Sequence, residues 1–339
     1  MAKLVGVLNT SHVWVGRPPE RWGAVRESRD IRDDVPTESF EERVEKSKRV
    51  AAAEQTMREK LHELRPDVLL VFGDDQNENF PSPELRIYPP ITVFCGEEFS
   101  GVDPPEGGLR QRQGQTEFSR NDPQQVVQGH PSLARAILYG LMDRGFDPAY
   151  SMDLPNPERG IGHAVMNPIG YWTDYEIPAV PIVLNAIYAP CISAKRANAL
   201  GHAVRQIVEE YPEDLRVVAI GSGGLWHTTS APQTWLNEEF DQHNMKCLAA
   251  GDIEGWASNF DSYHVEGDDQ SQFTGMRDRG ASSNPAMTGP QFGTREELDW
   301  IAASSMAEGS PFSYIEMFPI YSSPIDFAVA SCDDIKPLP

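Results

Sequence analysis

The sequence predicts an α/β protein with a central mixed β-sheet flanked by helices and with long insertion loops. Short apolar, β-branched runs, such as those at 67–72 and 215–220, alternate with longer segments in which apolar residues recur every three or four positions. Three further segments, 13–38, 97–129 and 265–292, show no such period. Segments of that length inside a compact domain are typical of functional loops, so we expect them to cover a crevice.

The predicted elements follow one another along the whole chain. Strands are predicted at 4–8, 67–72, 91–94, 180–187, 215–220, 313–318 and 326–330. Helices are predicted at 44–64, 131–144 and 193–211, and near 234–249 and 294–306. Pro131 suits a first helical turn, and Ser193 suits a helix cap. No internal repeat or clean linker divides the sequence, which predicts a single catalytic domain over residues 1–339.

Length and charge exclude several classes of protein. The 339 residues contain 29 Lys and Arg against 51 Asp and Glu, a formal net charge of −22 at pH 7. This acidic excess repels nucleic acid and anionic lipid, so neither is expected as a partner. No apolar run approaches the roughly 18 residues of a membrane span, and the first residues lack the pattern of a signal peptide. The four Cys are widely spaced, which is typical of a reduced, cytoplasmic compartment.

Polar side chains that can bind a metal follow three of the predicted strands. His12 follows the first strand, Asp74, Asp75 and Gln76 follow the second, and His227 follows a later one. In open α/β sheets, ligands bind outside the carboxyl ends of the strands, so we expect these side chains to converge. Histidine and carboxylate ligands with open positions suit the activation of a bound molecule. Taken singly, His12 is interpreted as a hydrogen-bonded structural residue, and Asp75 is interpreted as part of a turn.

One glycine-rich turn also follows a predicted strand. Residues 221–224 read Gly-Ser-Gly-Gly and directly precede the segment that ends at His227. Glycine has no Cβ, so such a turn lets the backbone approach a ligand closely. The turn lacks both the lysine of a phosphate-binding P-loop and the spacing of a dinucleotide-binding motif.

The ordered set of motifs resembles the class III extradiol ring-cleaving dioxygenases, the family type of the protocatechuate 4,5-dioxygenase β subunit and of gallate dioxygenase. The matching pieces occur in the family's order and span nearly the whole chain. They are Ser11-His12, GDDQNENF (73–80), GHAVMNP around His163, PCISAKRANALGHAVRQIVEEYP (190–212), GSGGLWH ending at His227, NEEFDQHNMKCLAAGD (237–252) and GTREELDW (293–300).

The resemblance implies a role for each matching residue. His12 and Glu296 match two of the family's three iron ligands, and His227 matches the histidine that acts as acid and base. His163 matches a second-sphere histidine that orients oxygen or substrate. The implied cofactor is Fe(II), the implied substrates are a catechol-like aromatic acid and O₂, and the implied assembly is a homo-oligomer. From the residue pattern alone, Glu296 reads instead as part of a solvated acidic helix face with Glu297 and Asp299.

One ligand position departs from the family's pattern, because no histidine stands where the second iron-binding histidine is expected. Counting from the strand places Asp75 there, and counting back from Phe80 places Gln76 there. Asp75 would add a carboxylate and favour harder ions such as Mn²⁺, whereas Gln76 would be a neutral, weaker ligand. Arg17 and Trp14, which follow His12, are expected to clamp the carboxylate and ring of the substrate.

The missing histidine keeps two other functional classes open. One is a metal-assisted hydrolase or C–C lyase on the same fold that needs no O₂. The other is a non-enzymatic relative that binds a ligand in the crevice without a metal. Dependence of the reaction on O₂ separates the first class from a dioxygenase, and metal content separates the second.

Overall fold

The structure is a computed structural model that describes residues 1–13, 15–76, 78–80, 88–104, 108, 124–187, 191–228, 233–263, 289–290 and 292–338. The strands within those residues are β1 (Lys3–Thr10), β2 (Val68–Asp74), β3 (Ile91–Phe94), β4 (Glu98–Gly101), β5 (Gln125–Gln128), β6 (Ala149–Ser151), β7 (Ala179–Leu184), β8 (Arg216–Ser222), β9 (Tyr314–Ile320) and β10 (Ile325–Cys332). The helices are α1 (Pro19–Glu27), α2 (Phe40–Leu64), α3 (Pro131–Asp143), α4 (His163–Trp172), α5 (Ala194–Glu210), α6 (Glu238–Ala250), α7 (Ile253–Ser262) and α8 (Glu297–Ser305), with a 3₁₀ segment (Phe292–Glu296) immediately before α8.

Eight of the strands form one mixed sheet in the order β6-β3-β7-β2-β8-β1-β10-β9. The central strands β7, β2, β8 and β1 are parallel neighbours, whereas β10 and β9 extend the sheet in antiparallel register. At the other edge, β3 runs antiparallel to β7 and parallel to β6. Strands β4 and β5 pair separately as an antiparallel ribbon. The predicted α/β class with a central mixed sheet is confirmed.

Helices cover both faces of the sheet because its central strands are apolar on both sides. Successive side chains of a strand point to opposite faces. Leu70 and Phe72 of β2 lie in a core formed with α3, α5, α7 and α8, and Leu69 and Val71 lie in a second core formed with α2 and α4. A strand buried on both faces reads as a continuous apolar run, which is why β2 was predictable from the sequence.

Three helices lie outside the predicted elements, each for a local reason. Helix α1 falls in the segment 13–38 and buries Trp22 alone, so it carries no apolar stripe. Helix α4 is buried on nearly every side and contains Pro168, so it shows no amphipathic period. Helix α7 is short, and Asp252 caps it by accepting a hydrogen bond from the backbone N–H of Gly255.

Two of the predicted loops belong largely to the part of the chain that the structure does not describe. The ribbon of β4 and β5 borders the segment 97–129, and residues 289–290 and 292 are the described part of 265–292. That these loops cover the crevice, and that the whole chain is one domain, therefore remain predictions. Within the described ranges, no helix is both long enough and apolar enough to cross a bilayer.

Candidate functional site

The candidate site lies where three neighbouring parallel strands end. Strands β2, β8 and β1 are adjacent and parallel, so the residues that follow them meet at one edge of the sheet. His12 follows β1, Gln76 follows β2 and His227 follows β8, while Glu296 ends the 3₁₀ segment that leads into α8. All four side chains line one cavity of about 300 Å³.

His12 is held in one orientation by its neighbours. Its backbone adopts a left-handed φ of 46°, and its N–H donates to the hydroxyl of Thr10 at 2.9 Å. The ring nitrogen Nδ1 is hydrogen-bonded to Ser222 Oγ at 2.9 Å, which leaves Nε2 facing Glu296, 4.0 Å from Oε2. Burial, reinforced by the charge of His163, lowers the pKa of His12 to about 3. The ring is therefore neutral near pH 7, which is the state in which imidazole binds a metal.

Glu296 is buried beneath the glycine turn 221–224. The backbone N–H of Gly224 donates to Glu296 Oε2 at 2.7 Å, and a Cβ in this turn would overlap Glu296. The turn therefore approaches Glu296, where the sequence predicted an approach to a ligand. The neighbouring Glu297 and Asp299 are also fully buried, because α8 packs between the sheet and α5. The interpretation of these three residues as a solvated acidic face is wrong.

His227 lies against Glu296. Its Nε2 lies 3.2 Å from Glu296 Oε1, and its Nδ1–H donates to the carbonyl oxygen of Leu225 at 2.7 Å. The bond to Leu225 makes Nε2 the atom that gains or loses a proton. Burial alone would lower the pKa of His227 and raise that of Glu296, but their mutual attraction reverses both effects. The pKa of His227 is raised above its ordinary value, and that of Glu296 is lowered.

The residues Asp75 and Gln76, the two candidates for the missing histidine, point in different directions. The carboxylate of Asp75 accepts hydrogen bonds from the backbone N–H groups of 78–80 at 2.9 to 3.1 Å. Asp75 therefore holds a turn, and burial raises its pKa to about 6. The amide nitrogen of Gln76 donates to Glu296 Oε1 at 2.6 Å. Of the two, Gln76 is the residue whose side chain contacts Glu296.

Glu78, for which the sequence predicts no role, holds His163 beside the site. His163 begins α4, and its Nδ1–H and backbone N–H donate to Glu78 Oε1 at 2.5 and 3.1 Å. The other oxygen of Glu78 accepts the backbone N–H of Gln76 at 2.9 Å. Burial opposes the charge on both partners, but their pairing raises the pKa of His163 to about 9 and lowers that of Glu78 to about 2. The His163 ring meets the His12 ring edge-on, with centroids 5.0 Å apart.

The rest of the cavity wall combines cationic, polar and apolar side chains. Arg17 lines the cavity as predicted for a substrate clamp, whereas Trp14 lies outside the described residues. Arg29, which has no sequence motif to mark it, also lines the cavity and donates to Ser323 Oγ at 2.5 Å. The remaining side chains of the wall are Val13, Val15, Asn167, Tyr171 and Ile325.

His12, Glu296 and Gln76 supply donors that fit a divalent cation. Across the described ranges, no three His, Cys, Asp or Glu side chains are grouped closely enough to hold a metal by themselves. His12 Nε2 and Glu296 Oε2 nevertheless face each other across 4.0 Å, within the maximum separation of about 4.2 Å for two ligands that each lie about 2.1 Å from one ion. Rotation of the Gln76 amide exchanges its nitrogen and oxygen and presents a third donor. An imidazole, a carboxylate and an amide leave positions open for substrate.

Comparisons with known proteins identify the family of the chain. Residues 36–274 match the model of the family described as the catalytic LigB subunit of aromatic ring-opening dioxygenase. A gallate dioxygenase of Pseudomonas putida is 30% identical over 127 residues, which are 36% of each protein. A 2,3-dihydroxyphenylpropionate/2,3-dihydroxicinnamic acid 1,2-dioxygenase of Rhodococcus globerulus is 27% identical over 193 residues, 56% of this chain and 52% of the relative.

The two dioxygenase matches cover only part of each relative. The aligned segments span from about a third to about half of the length of these two relatives. In structure, an uncharacterized protein of Escherichia coli K12 aligns over 96% of this chain and 99% of the Escherichia coli chain, at 12% sequence identity and a TM-score of 0.44. The family match contains Gln76, His163 and His227, and it extends over well more than half of the sequence. The chain therefore belongs to the family of the catalytic LigB subunit of aromatic ring-opening dioxygenases.

Proposed function

We propose that the protein is a metal-dependent extradiol dioxygenase that inserts both atoms of O₂ into a catechol-like aromatic acid and opens its ring. The observation that carries the proposal is the placement of His12, His227 and Glu296 around one cavity, in a chain of the LigB family. The dioxygenases named among its relatives act on gallate and on 2,3-dihydroxyphenylpropionate, which are aromatic acids with adjacent hydroxyl groups, and this supports the same substrate class.

The residues that would hold the cation are His12 through Nε2, Glu296 through its carboxylate and Gln76 through its amide oxygen. When bound, Fe(II), or alternatively Mn²⁺, would supply two things: positive charge that holds adjacent phenolic oxygens, and a redox partner for O₂. Ser222 fixes the ring of His12 by its hydrogen bond to Nδ1, at 2.9 Å. Such a bond orients a metal-binding imidazole and strengthens it as a ligand.

His227 is the base that takes a phenolic proton from the substrate. Its Nδ1–H is committed to the carbonyl oxygen of Leu225, so Nε2 faces the cavity and accepts the proton. The Glu296 carboxylate, 3.2 Å away, stabilises the imidazolium that forms. The same atom can return the proton at a later step, and the pairing with Glu296 raises the pKa of His227 above its ordinary value.

His163 provides a donor beside the substrate, held by Glu78. The bond from its Nδ1–H to Glu78 leaves Nε2–H of the protonated ring available, and the ring lines the cavity next to His12. Asn167 and Tyr171 also line this wall, and both donate to the carbonyl oxygen of His12, at 3.3 and 3.4 Å. We assign to these residues the positioning of substrate and oxygen.

The proposal is tested by turnover of aromatic diols after anaerobic reconstitution with Fe(II). We expect O₂ uptake and a yellow ring-opened product with a catecholic acid, lost in both His12→Ala and His227→Ala. His202→Ala is a matched control, because His202 lies on α5 and pairs with Glu308 at 2.8 Å away from the cavity. Full turnover in His12→Ala and His227→Ala would contradict the proposal.

Replacement of the second histidine by Gln76 supports one competing function, a metal-assisted hydrolysis or C–C cleavage without O₂. A neutral amide donates less electron density to a metal than imidazole does, which favours Lewis-acid chemistry over redox chemistry. Conversion of the aromatic substrate under strict anaerobiosis would establish this second function, and a strict requirement of that conversion for O₂ would exclude it. A cytoplasmic location and a homo-oligomeric assembly remain predictions.

A further inference from the structure

Arg29 is a half-buried cation in the cavity that lacks a carboxylate partner within the described residues. It lies just after α1, and its guanidinium donates to Ser323 Oγ at 2.5 Å. Acidic residues outnumber basic ones by 51 to 29, yet none that the structure describes forms an ion pair with Arg29. Arginine is seldom withdrawn from solvent unless it is paired, because an unpaired charge loses hydration without compensation.

A second cation lies near Arg29 on the same wall. Arg17 lines the cavity, and its charge, together with burial, lowers the pKa of Arg29. An anion bound beside these two arginines would interact favourably with both of them. The charge of Arg29 also opposes protonation of His227, which places Arg29 within electrostatic range of the proposed base.

The cavity wall also contains apolar side chains. Val15 and Ile325 line it, and Ile325 pairs with His227 in an isolated β-bridge. A volume of about 300 Å³ is at the lower limit of ligand pockets, which suits a molecule with one ring. The cavity wall therefore combines candidate metal ligands, apolar side chains and cations.

We propose that Arg29 binds the carboxylate of the substrate and makes the site selective for aromatic diols that carry an ionised acid group. A guanidinium and a carboxylate form paired, charge-assisted hydrogen bonds, and Ser323 holds the guanidinium in place for them. The acid group then anchors one end of the ring while the diol faces His12 and Glu296. This inference rests on the proposed function for the reaction, but anion binding by Arg29 is measurable without turnover.

The test compares two ligands of nearly the same shape, one with an ionised acid group and one with a neutral amide, 3,4-dihydroxybenzoate and 3,4-dihydroxybenzamide. Their dissociation constants are measured by calorimetry on the full chain, without O₂, after reconstitution with Fe(II). We expect the wild-type protein to bind the acid about tenfold to a hundredfold more tightly than the amide. Arg29→Gln should abolish this preference, mainly by weakening binding of the acid, and Arg29→Lys should restore part of it.

Arg21→Gln is the matched control, because it removes the same charge from an exposed position of α1 that does not line the cavity. Equal binding of acid and amide by the wild-type protein would overturn the assignment. An unchanged preference in Arg29→Gln, or a failure of the acid to bind at all, would also overturn it. If the wild-type protein does not open the ring but binds the acid more tightly than the amide in an Arg29-dependent way, the proposed reaction is refuted and the assignment of Arg29 is supported.

Discussion

Glu54, a buried carboxyl group on α2, makes a quantitative prediction about stability. The side chain accepts hydrogen bonds from Trp172 Nε1 at 2.6 Å and from Thr10 Oγ1 at 3.3 Å, and the residue is 6% exposed. Burial outweighs these two bonds and raises the pKa of Glu54 from 4.5 to about 7. The folded protein therefore holds this proton more tightly than the unfolded chain does.

The sign of the pH dependence follows from that difference. At low pH, Glu54 is protonated in both states and has no effect on stability. As the pH rises from 4.5 to about 7, the unfolded chain releases the proton first, so the free energy of unfolding falls. At about 1.4 kcal/mol for each pH unit, the full loss is about 3 kcal/mol above pH 7.

Glu54→Gln removes this loss, because the amide does not ionise and keeps a hydrogen-bonding partner for both Trp172 and Thr10. Urea unfolding followed by circular dichroism should show that the variant gains about 3 kcal/mol over the wild type between about pH 4 and pH 8. Glu63→Gln makes the same chemical change at an exposed position of the same helix and serves as the control. A difference between wild type and Glu54→Gln that stays constant across this pH range would refute the reasoning.

Three further changes probe the supports of the candidate site. Ser222→Ala removes the partner of His12 Nδ1, so the affinity for Fe(II) measured by anaerobic calorimetry should fall about tenfold to a hundredfold, and an unchanged affinity would contradict the role of Ser222. Asp75→Ala leaves the backbone N–H groups of 78–80 without their acceptor and should lower the free energy of unfolding by about 2 kcal/mol or more, whereas an unchanged urea midpoint would contradict the turn. Gly293→Ala would place a methyl group 1.8 Å from Nε2 of His227 and so displace the ring. The kcat should therefore fall about a hundredfold while metal affinity persists, and an unaltered kcat would show that this ring position is not required.

The part of the fold that the sequence predicts is the part built from regular patterns. The buried run of β2 and the apolar stripe of α5 follow from residue periodicity, and so does the meeting of His12, Gln76 and His227 at one edge. Adjacent parallel strands end at the same edge whatever their loops do, so three strand-end residues are enough to locate the cavity.

Other parts of the site depend on contacts between distant segments, which periodicity does not encode. The residue pattern around Glu296 predicts a solvated side chain. Glu296 is buried because the glycine turn 221–224 brings the backbone N–H of Gly224 to its carboxylate. Arg29 lies just after α1, a helix with no apolar stripe, and its guanidinium is held in the cavity by Ser323, nearly three hundred residues later in the chain. Asp75 and Gln76 are adjacent in sequence, and the turn that Asp75 caps decides which of them faces the cavity.

Metal binding by His12, Gln76 and Glu296 is the central claim, and its most direct test is anaerobic calorimetry with Fe(II) and Mn²⁺. We expect a single ion per chain, and we expect binding to be lost in both His12→Ala and Glu296→Gln. Gln76→His should tighten binding, because imidazole is a stronger ligand than an amide for these ions. Equal affinity in the wild type and in His12→Ala and Glu296→Gln would contradict the claim.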